Sequence, residues 1–450
     1  MIFEERRQLI DEVRLASNCS HPIRLSGQMV DLATGEISTR GLKVACKDRR
    51  QVICPACSAL YKSDAWILVS TGLVGGKGVD EQVATHQKLF ITLTAPSFGR
   101  VHTRRANGSC RPKVDGSVNC PHHRPTICTL HHGEGDLMLG TPLCPECFDY
   151  QGAILWNAQA SQLFSRTMRQ VERRTGQLAG FSRREFHQLA RLNYLKVAEM
   201  QRRGLVHFHI LLRADGADGL EPPTWLTSEL IAVAFAETTQ NLRLIGIDGS
   251  PLRWGSQFAI IDLHVLDPDL NRVANYIAKY AVKTTDGSTA LARRLKSRSE
   301  IEALVLGDHP KTLALTAWDF ARVPAFERLN LTRHANAFGY TGQLITKSKN
   351  FSTTFRALRE ARADFTAPSN EFQTLDGTFH YEGRGYDHPR ATELAEVLFR
   401  LEQELRQERA QRRKLAPDGS YDQGQNEHDP SPEESPKEIS EEISQGNTEV

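Results

Sequence analysis

Between positions 88 and 266 the chain carries short stretches in which apolar residues run together or alternate with polar ones, and each predicts a strand. Leu89-Phe-Ile-Thr-Leu-Thr94 reads as a central strand. At 205–212, Leu205-Val206 and Ile210-Leu211-Leu212 bracket His207-Phe208-His209 and predict a half-buried strand. Upstream, Tyr194-Leu-Lys-Val-Ala-Glu-Met-Gln201 reads as its partner, with Arg203-Gly204-Leu205 as the hairpin turn. A further strand is expected at 257–266. Helical periodicity marks 151–171, 182–192, 223–241 and 268–282, and later 288–296, 310–322 and a charged, Leu-punctuated 391–413. The last of these can pack on the core or pair two chains. Strands and helices in this order predict an α+β fold, an antiparallel sheet with helices packed on one face.

The hairpin carries the first candidate chemistry. Side chains at i and i+2 of a strand point to one face, so His207 and His209 can converge on one cation while Phe208 turns into the core. With a three-residue turn, Gln201 sits opposite His207 and Glu199 opposite His209, all on the same face. An isolated His-x-His is more often a hydrogen-bonded pair on an ordinary strand, and the aligned Glu199 argues for a ligand set. Two imidazoles and a carboxylate leave coordination positions open for substrate oxygens, which suits a catalytic Mg²⁺ or Mn²⁺. Downstream, Asn275-Tyr-Ile-Ala-Lys-Tyr-Ala-Val-Lys-Thr-Thr-Asp286 on a helix sets Tyr276 and Tyr280 on one face, with Lys279 and Lys283 beside them. A phenol with a pKa near ~10 becomes a nucleophile at neutral pH only beside a cation or a metal-bound phosphate. His264 alternates with Asp262 just before this helix; it can face the metal, though it reads first as a structural histidine.

Charge is split along the chain. Residues 418–450 hold ten acidic residues against one basic, a net of −9, which leaves +11 on residues 1–417 of a chain whose total is +2. The basic part suits a protein that neutralises phosphates, though alone this is weak support. The acidic, Pro- and Ser-rich tail is expected to be disordered. Lys347, Lys349, Arg356, Arg359 and Arg362, interleaved with Phe351 and Phe355, form a basic stretch able to track a phosphate backbone. No apolar run approaches the roughly 18 residues of a membrane span and no secretory leader is evident, so a cytoplasmic protein without membrane partners is expected.

In such a chain the nine cysteines, with Cys54-Pro-Ala-Cys57 and Cys144-Pro-Glu-Cys147, read as Zn²⁺ ligands before disulfides. One site draws on Cys19, Cys46, Cys54 and Cys57. A second draws on Cys110, Cys120, Cys128, Cys144 and Cys147, with His122, His123, His131 and His132 as substitutes. Sharing of one zinc by the two Cys-x-x-Cys pairs is the alternative, giving one or two structural sites.

Taken together, the ordered motifs resemble the HUH endonucleases: the apolar Thr-rich strand at 89–94, Val206-His-Phe-His-Ile-Leu211 as the metal motif, and Tyr276-Ile-Ala-Lys-Tyr280 as the tyrosine motif. Within that group, Cys54-Pro-Ala-Cys57-Ser-Ala-Leu-Tyr61, Leu93-Thr-Ala-Pro-Ser-Phe98, Pro142-Leu-Cys-Pro-Glu-Cys147 and Leu344-Ile-Thr-Lys-Ser348 with Ser352-Thr-Thr-Phe355 resemble the replication initiators of actinobacterial plasmids and integrative elements, from about Cys19 to about Arg362. The resemblance implies a nuclease core at 88–286 with a Cys/His-rich insertion at 99–150. Around it lie an N-terminal region with a zinc knuckle at 1–87, a helical and basic region at 287–413 and the acidic tail at 414–450.

It further implies that Tyr280 is the first-choice nucleophile, with Tyr276 where single-tyrosine initiators often carry Glu. The partners implied are origin DNA, single- and double-stranded, and a host helicase and DNA polymerase. The chain has no Gly-x-x-x-x-Gly-Lys-Ser/Thr loop of its own. A transposase or conjugative relaxase uses the same chemistry, and a zinc-stabilised DNA-binding regulator without catalysis is the non-enzymatic alternative.

Overall fold

The computed structural model describes residues 2–31, 35, 37–110, 119–219, 221–263, 273–276, 294–366 and 375–415. They form two compact units, Met1–Leu68 joined with the described residues from Thr353 to Leu415, and Val69–Ser352. The first unit is discontinuous in sequence, which a linear division at 87/88 and 286/287 does not provide for.

In the first unit, β1 (Ile23–Asp31) pairs antiparallel with β2 (Ile37–Val44) on one edge and with the strand Leu375–Arg384 on the other. Helix α1 (Ile2–Leu15) buries Val13 against Ala391 and Ala395 of the helix Ala391–Leu415, so this helix packs within the unit. Helix α2 (Pro55–Val74) opens directly after Cys54, with proline at its first position where no helical N–H is needed. That start sets Cys54 and Cys57 on one turn beside Cys19 and Cys46.

The second unit is α+β. Its antiparallel sheet has the order β8–β3–β5–β4–β9, from β3 (Lys88–Leu93), β4 (Ala190–Met200), β5 (Val206–Gly216), β8 (Phe258–Asp262) and β9 (Ile345–Lys347). A small hairpin, β6 (Leu244–Ile245) with β7 (Pro251–Leu252), stands apart. Helix α3 (Tyr150–Leu178) is capped by Asp149, α4 (Arg183–Leu189) by a Ser182–Glu185 capping box, and α5 (Ser228–Asn241) by Thr227. Leu89, Ile91, Leu93, Phe208, Ile210 and Leu212 face Phe164 and Met168 of α3 and Ile231 and Phe235 of α5 in one core. Burying Phe208 completely contributes roughly 1.5–3 kcal/mol. The alternate residues Phe90, Thr92, Glu199, His207 and His209 occupy the opposite face.

Two buried charges strain this economy. Lys196 lies on the core face, 2 % exposed, with Nζ 4.2 Å from the Phe208 ring and 4.9 Å from that of Phe164. Burial pushes its pKa down to about 8. At the far end of β5, Arg213 donates to both carboxylate oxygens of Asp215 (2.7 and 2.9 Å) and to the carbonyls of Gly72, Asn350 and Phe351. His86 and Asn193 complete the carboxylate's partners. Burial alone would raise the Asp215 pKa, but the hydrogen bonds from His86 and Arg213 hold it below the usual carboxylate range.

Asp215→Ala leaves the Arg213 guanidinium buried and unpaired, and is expected to cost about 3–5 kcal/mol; a chemical-denaturation loss under about 1 kcal/mol would refute the clamp. For Lys196 the unfolded chain holds the proton up to a pH near ~10.4, while the folded chain releases it near 8. Stability therefore rises with pH across that window, by up to about 3 kcal/mol from this residue. Lys196→Met should flatten the rise in melting temperature between roughly pH 8 and 10 relative to the wild type; parallel curves would refute the assignment.

Candidate metal centre and the cysteine–histidine groups

The β4–β5 hairpin turns through Gln201–Leu205, with Gln201 N–H donating to Leu205 O (2.9 Å) and Gly204 N–H to Gln201 O (2.8 Å). Gly204 takes a φ of +78°, which a side chain would strain. The turn keeps three residues, Arg202–Gly204, but lies one position earlier than the expected Arg203–Leu205, and the register moves by two: Glu199 lies opposite His207 and Val197 opposite His209. The reason lies outside the ladder. The Val206 N–H is taken by the Oδ1 of Asn157, a fully buried residue of α3 that also donates to Gly204 O. Arg202 and Arg203 are drawn to the carbonyls of Glu134, Asp136 and Ala95. Because the shift is even, Glu199, His207 and His209 keep a common face.

One donor atom each from Glu199, His207 and His209 lies within 4.8 Å of the other two, a group that can hold a metal ion. His209 Nε2 is 3.0 Å from Glu199 Oε2, and its ring stacks on Phe90 at 5.8 Å. Gln201, the alternative third ligand, instead addresses His207 from behind. Arg203 Nε donates to Gln201 Oε1 (2.8 Å), which turns the amide nitrogen to His207 Nδ1 (2.9 Å). His207 Nε2 is buried without a partner. Burial, then the neighbouring His209 and Arg203, hold the His207 pKa well below its usual value, so the ring is neutral and competent to ligate. The Tyr276 ring, 6 % exposed, meets Phe90 edge-on at 5.9 Å on this same side of the sheet. Lys279, Tyr280, Lys283 and His264 lie outside the described residues.

All nine cysteines fall into three further groups, each with donor atoms within 4.8 Å of one another. Cys19, Cys46, Cys54 and Cys57 form the first, with Cys19–Cys54 and Cys46–Cys57 sulfur pairs at 3.7 Å. That separation is far from a ~2.05 Å disulfide and close to the ~3.8 Å edge of a tetrahedron of thiolates on zinc. The expected second group is in fact two: His102, Cys110, Cys128 and His132, and Cys120, His122, Cys144 and Cys147. His123 and His131 are exposed and belong to neither. His102 escaped the sequence reading because a lone imidazole eight residues before Cys110 makes no recognisable ligand spacing.

The basic stretch from Lys347 divides, since the boundary between the units falls after Ser352. Lys347 spends its ammonium on the carbonyls of Ser348, Lys349 and Ser352. Lys349 and Arg359 are exposed, and Arg356 pairs with Glu360. The interleaved aromatics are structural: Phe351 is fully buried beneath Arg213, and Phe355 stacks on Tyr61 at 5.4 Å. Among the described residues no helix is long and apolar enough to cross a membrane.

No solved structure matches this chain. A replication initiator protein of Streptomyces ambofaciens is 34 % identical over 385 residues, covering 79 % of this chain and 80 % of the relative. Residues 5–400 match the family described as replication initiator protein, pSAM2, and so take in all four groups able to hold a metal ion. The chain belongs to this family of replication initiator proteins.

Proposed function

We propose that the chain starts replication by nicking one strand of its origin as a metal-dependent tyrosine endonuclease of the HUH type. The observation that carries this reading is the convergence of Glu199, His207 and His209 on one sheet face, with His207 Nε2 buried and unpartnered. Two imidazoles and one carboxylate suit a divalent cation with open positions, and Mg²⁺ or Mn²⁺ there would stabilise charge at a scissile phosphate. Tyr280, on the grounds of its motif, is the nucleophile. Its phenolate oxygen forms a bond to phosphorus and the bond from phosphorus to the 3′ oxygen breaks, giving a 5′-phosphotyrosine link and, after protonation, a free 3′ hydroxyl for a polymerase. The phosphotyrosine keeps the energy for rejoining, so no nucleotide is consumed, and strand separation falls to a host helicase. Tyr276, buried beside the His209-stacked Phe90, serves as the support of the tyrosine helix. The exposed cations Lys349 and Arg359 are candidates for phosphate contacts.

Gln201 has a positioning role. A cation on His207 Nε2 requires the ring proton on Nδ1, and the Gln201 amide, whose nitrogen faces Nδ1 in this structure, must then turn over to accept that proton through Oε1. Gln201→Glu, which can only accept, is expected to tighten Mn²⁺ binding about tenfold, and Gln201→Met to weaken it about tenfold. Titration of free Mn²⁺ by electron paramagnetic resonance checks both, and equal affinities in the three proteins would remove Gln201 from the site.

The nicking reading is tested with single-stranded oligonucleotides tiling the DNA around the gene, incubated with the full chain and Mn²⁺. A covalent protein–DNA adduct should persist on a denaturing gel. It should fall about a thousandfold or more in Tyr280→Phe and His207→Ala and survive in Tyr276→Phe. Tight, specific binding with no adduct on any tile would sink the proposal in favour of a non-catalytic initiator.

A further inference from the structure

The eight ligands of the insertion alternate between its two groups. In chain order they come as four pairs, His102 and Cys110, Cys120 and His122, Cys128 and His132, Cys144 and Cys147; the first and third pairs meet, and so do the second and fourth. We propose that this segment is a cross-braced module holding two zinc ions, each closing a loop that contains a ligand pair of the other.

Distances within the groups match closed metal shells. Cys128 Sγ lies 3.4 Å from His132 Nε2, and His122 Nδ1 lies 3.2 Å from Cys147 Sγ and 3.7 Å from Cys144 Sγ. Zinc with bonds of ~2.3 Å to sulfur and ~2.0 Å to nitrogen in a tetrahedron separates such atoms by about 3.5 Å. His132 gives its other ring nitrogen to Asp136 Oδ2 at 2.6 Å, the carboxylate support that orients a metal-bound imidazole. His102, 9 % exposed, holds a buried Nδ1 with no hydrogen-bond partner. An unligated set would leave this atom unsatisfied.

The packing requires such staples. Leu130, Leu137 and Met138 point outward at 52, 86 and 40 % exposure, while the buried side chains around them include His102, Cys110, His132 and Cys144. A segment whose interior is made of ligands instead of hydrocarbon gains its folding free energy from metal. The module then acts as one rigid body against the catalytic hairpin. Arg202 at the hairpin turn donates to Asp136 O (3.0 Å) and Glu134 O (2.8 Å). Gly140, with φ +86°, lets the backbones touch, since a Cβ there would come within 2.5 Å of the Arg202 carbonyl carbon.

The pairing can be read by replacing zinc with ¹¹³Cd in the full chain, because the cadmium resonance moves with the number of bound thiolates. Three thiolate-bearing signals are expected, for four, three and two sulfurs. Cys128→His keeps a ligand at its position, and in the cross-brace it converts the two-sulfur signal to a one-sulfur signal while leaving the three-sulfur signal in place. If consecutive pairs shared an ion, the same substitution would instead convert the three-sulfur signal. Cys120→His gives the reciprocal reading should the first variant fail to fold. The swapped pattern in either variant, or cadmium signals only from the four-sulfur site, overturns the proposal.

Discussion

The proposed nicking site hangs on the pleat of one hairpin. A strand's side chains alternate with a period of two, so β5 sends Phe208, Ile210 and Leu212 into the helix-covered core and His207 and His209 to the other face. The same alternation on β4 sends Ala198 inward and Glu199 outward. Core packing thus enforces the facing of the ligands: a slip of one residue would bury both imidazoles among α3 and α5 and expose Phe208 to the opposite side. A slip of two preserves the faces and changes only which ligand is opposite which. Parity is therefore set by hydrocarbon, and register must be set by something else.

That second constraint is the turn. Asn157 pins it from the core with two hydrogen bonds, accepting from Val206 N–H and donating to Gly204 O, while a third, to Phe338 O, holds Asn157 itself. His309 Nε2 reaches Arg203 O at 3.2 Å, and Arg203 itself, its pKa pushed down to about 10 by burial, donates onward to Gln201. A buried guanidinium is costly to leave unpaired, so its hydrogen bonds resist rearrangement. The consequence reaches His207 through the Gln201 amide. Catalytic groups need placement to about half an ångström, and a site built on strands with an over-determined turn supplies it where a free loop does not.

The strand pair, its faces and the grouping of Glu199 with both histidines were legible in the sequence because all three follow from alternation, which is local. The register was not, because it depends on Asn157 and His309, 49 and 106 positions from the residues they hold. Cys54 and Cys57 were legible with Cys19 and Cys46, since helix α2 places the knuckle and β2 ends beside it. The split of the second cysteine set was hidden: nothing in the spacing of eight ligands says whether neighbours share an ion or alternate. Phe351 and Phe355 read as part of a basic stretch able to track a phosphate backbone, yet hydrophobic side chains between charged ones satisfy a buried core equally well. Only the fold decides between the two.

The chain also separates two kinds of metal chemistry by donor type. Cysteines stand in three four-donor groups, two of them completed by histidine, while the hairpin offers only imidazole and carboxylate. Soft sulfur ligands favour zinc and leave no position for substrate, whereas a three-donor face retains them. Raw affinity for divalent ions does not distinguish zinc from manganese at the hairpin, since the usual order of stability favours zinc there too. Donor number and donor type set the groups apart instead: each cysteine-bearing group offers four donors and the hairpin three. A four-donor set rich in sulfur and a three-donor set of nitrogen and oxygen thus suit different ions, and the difference is written in the side chains of one chain.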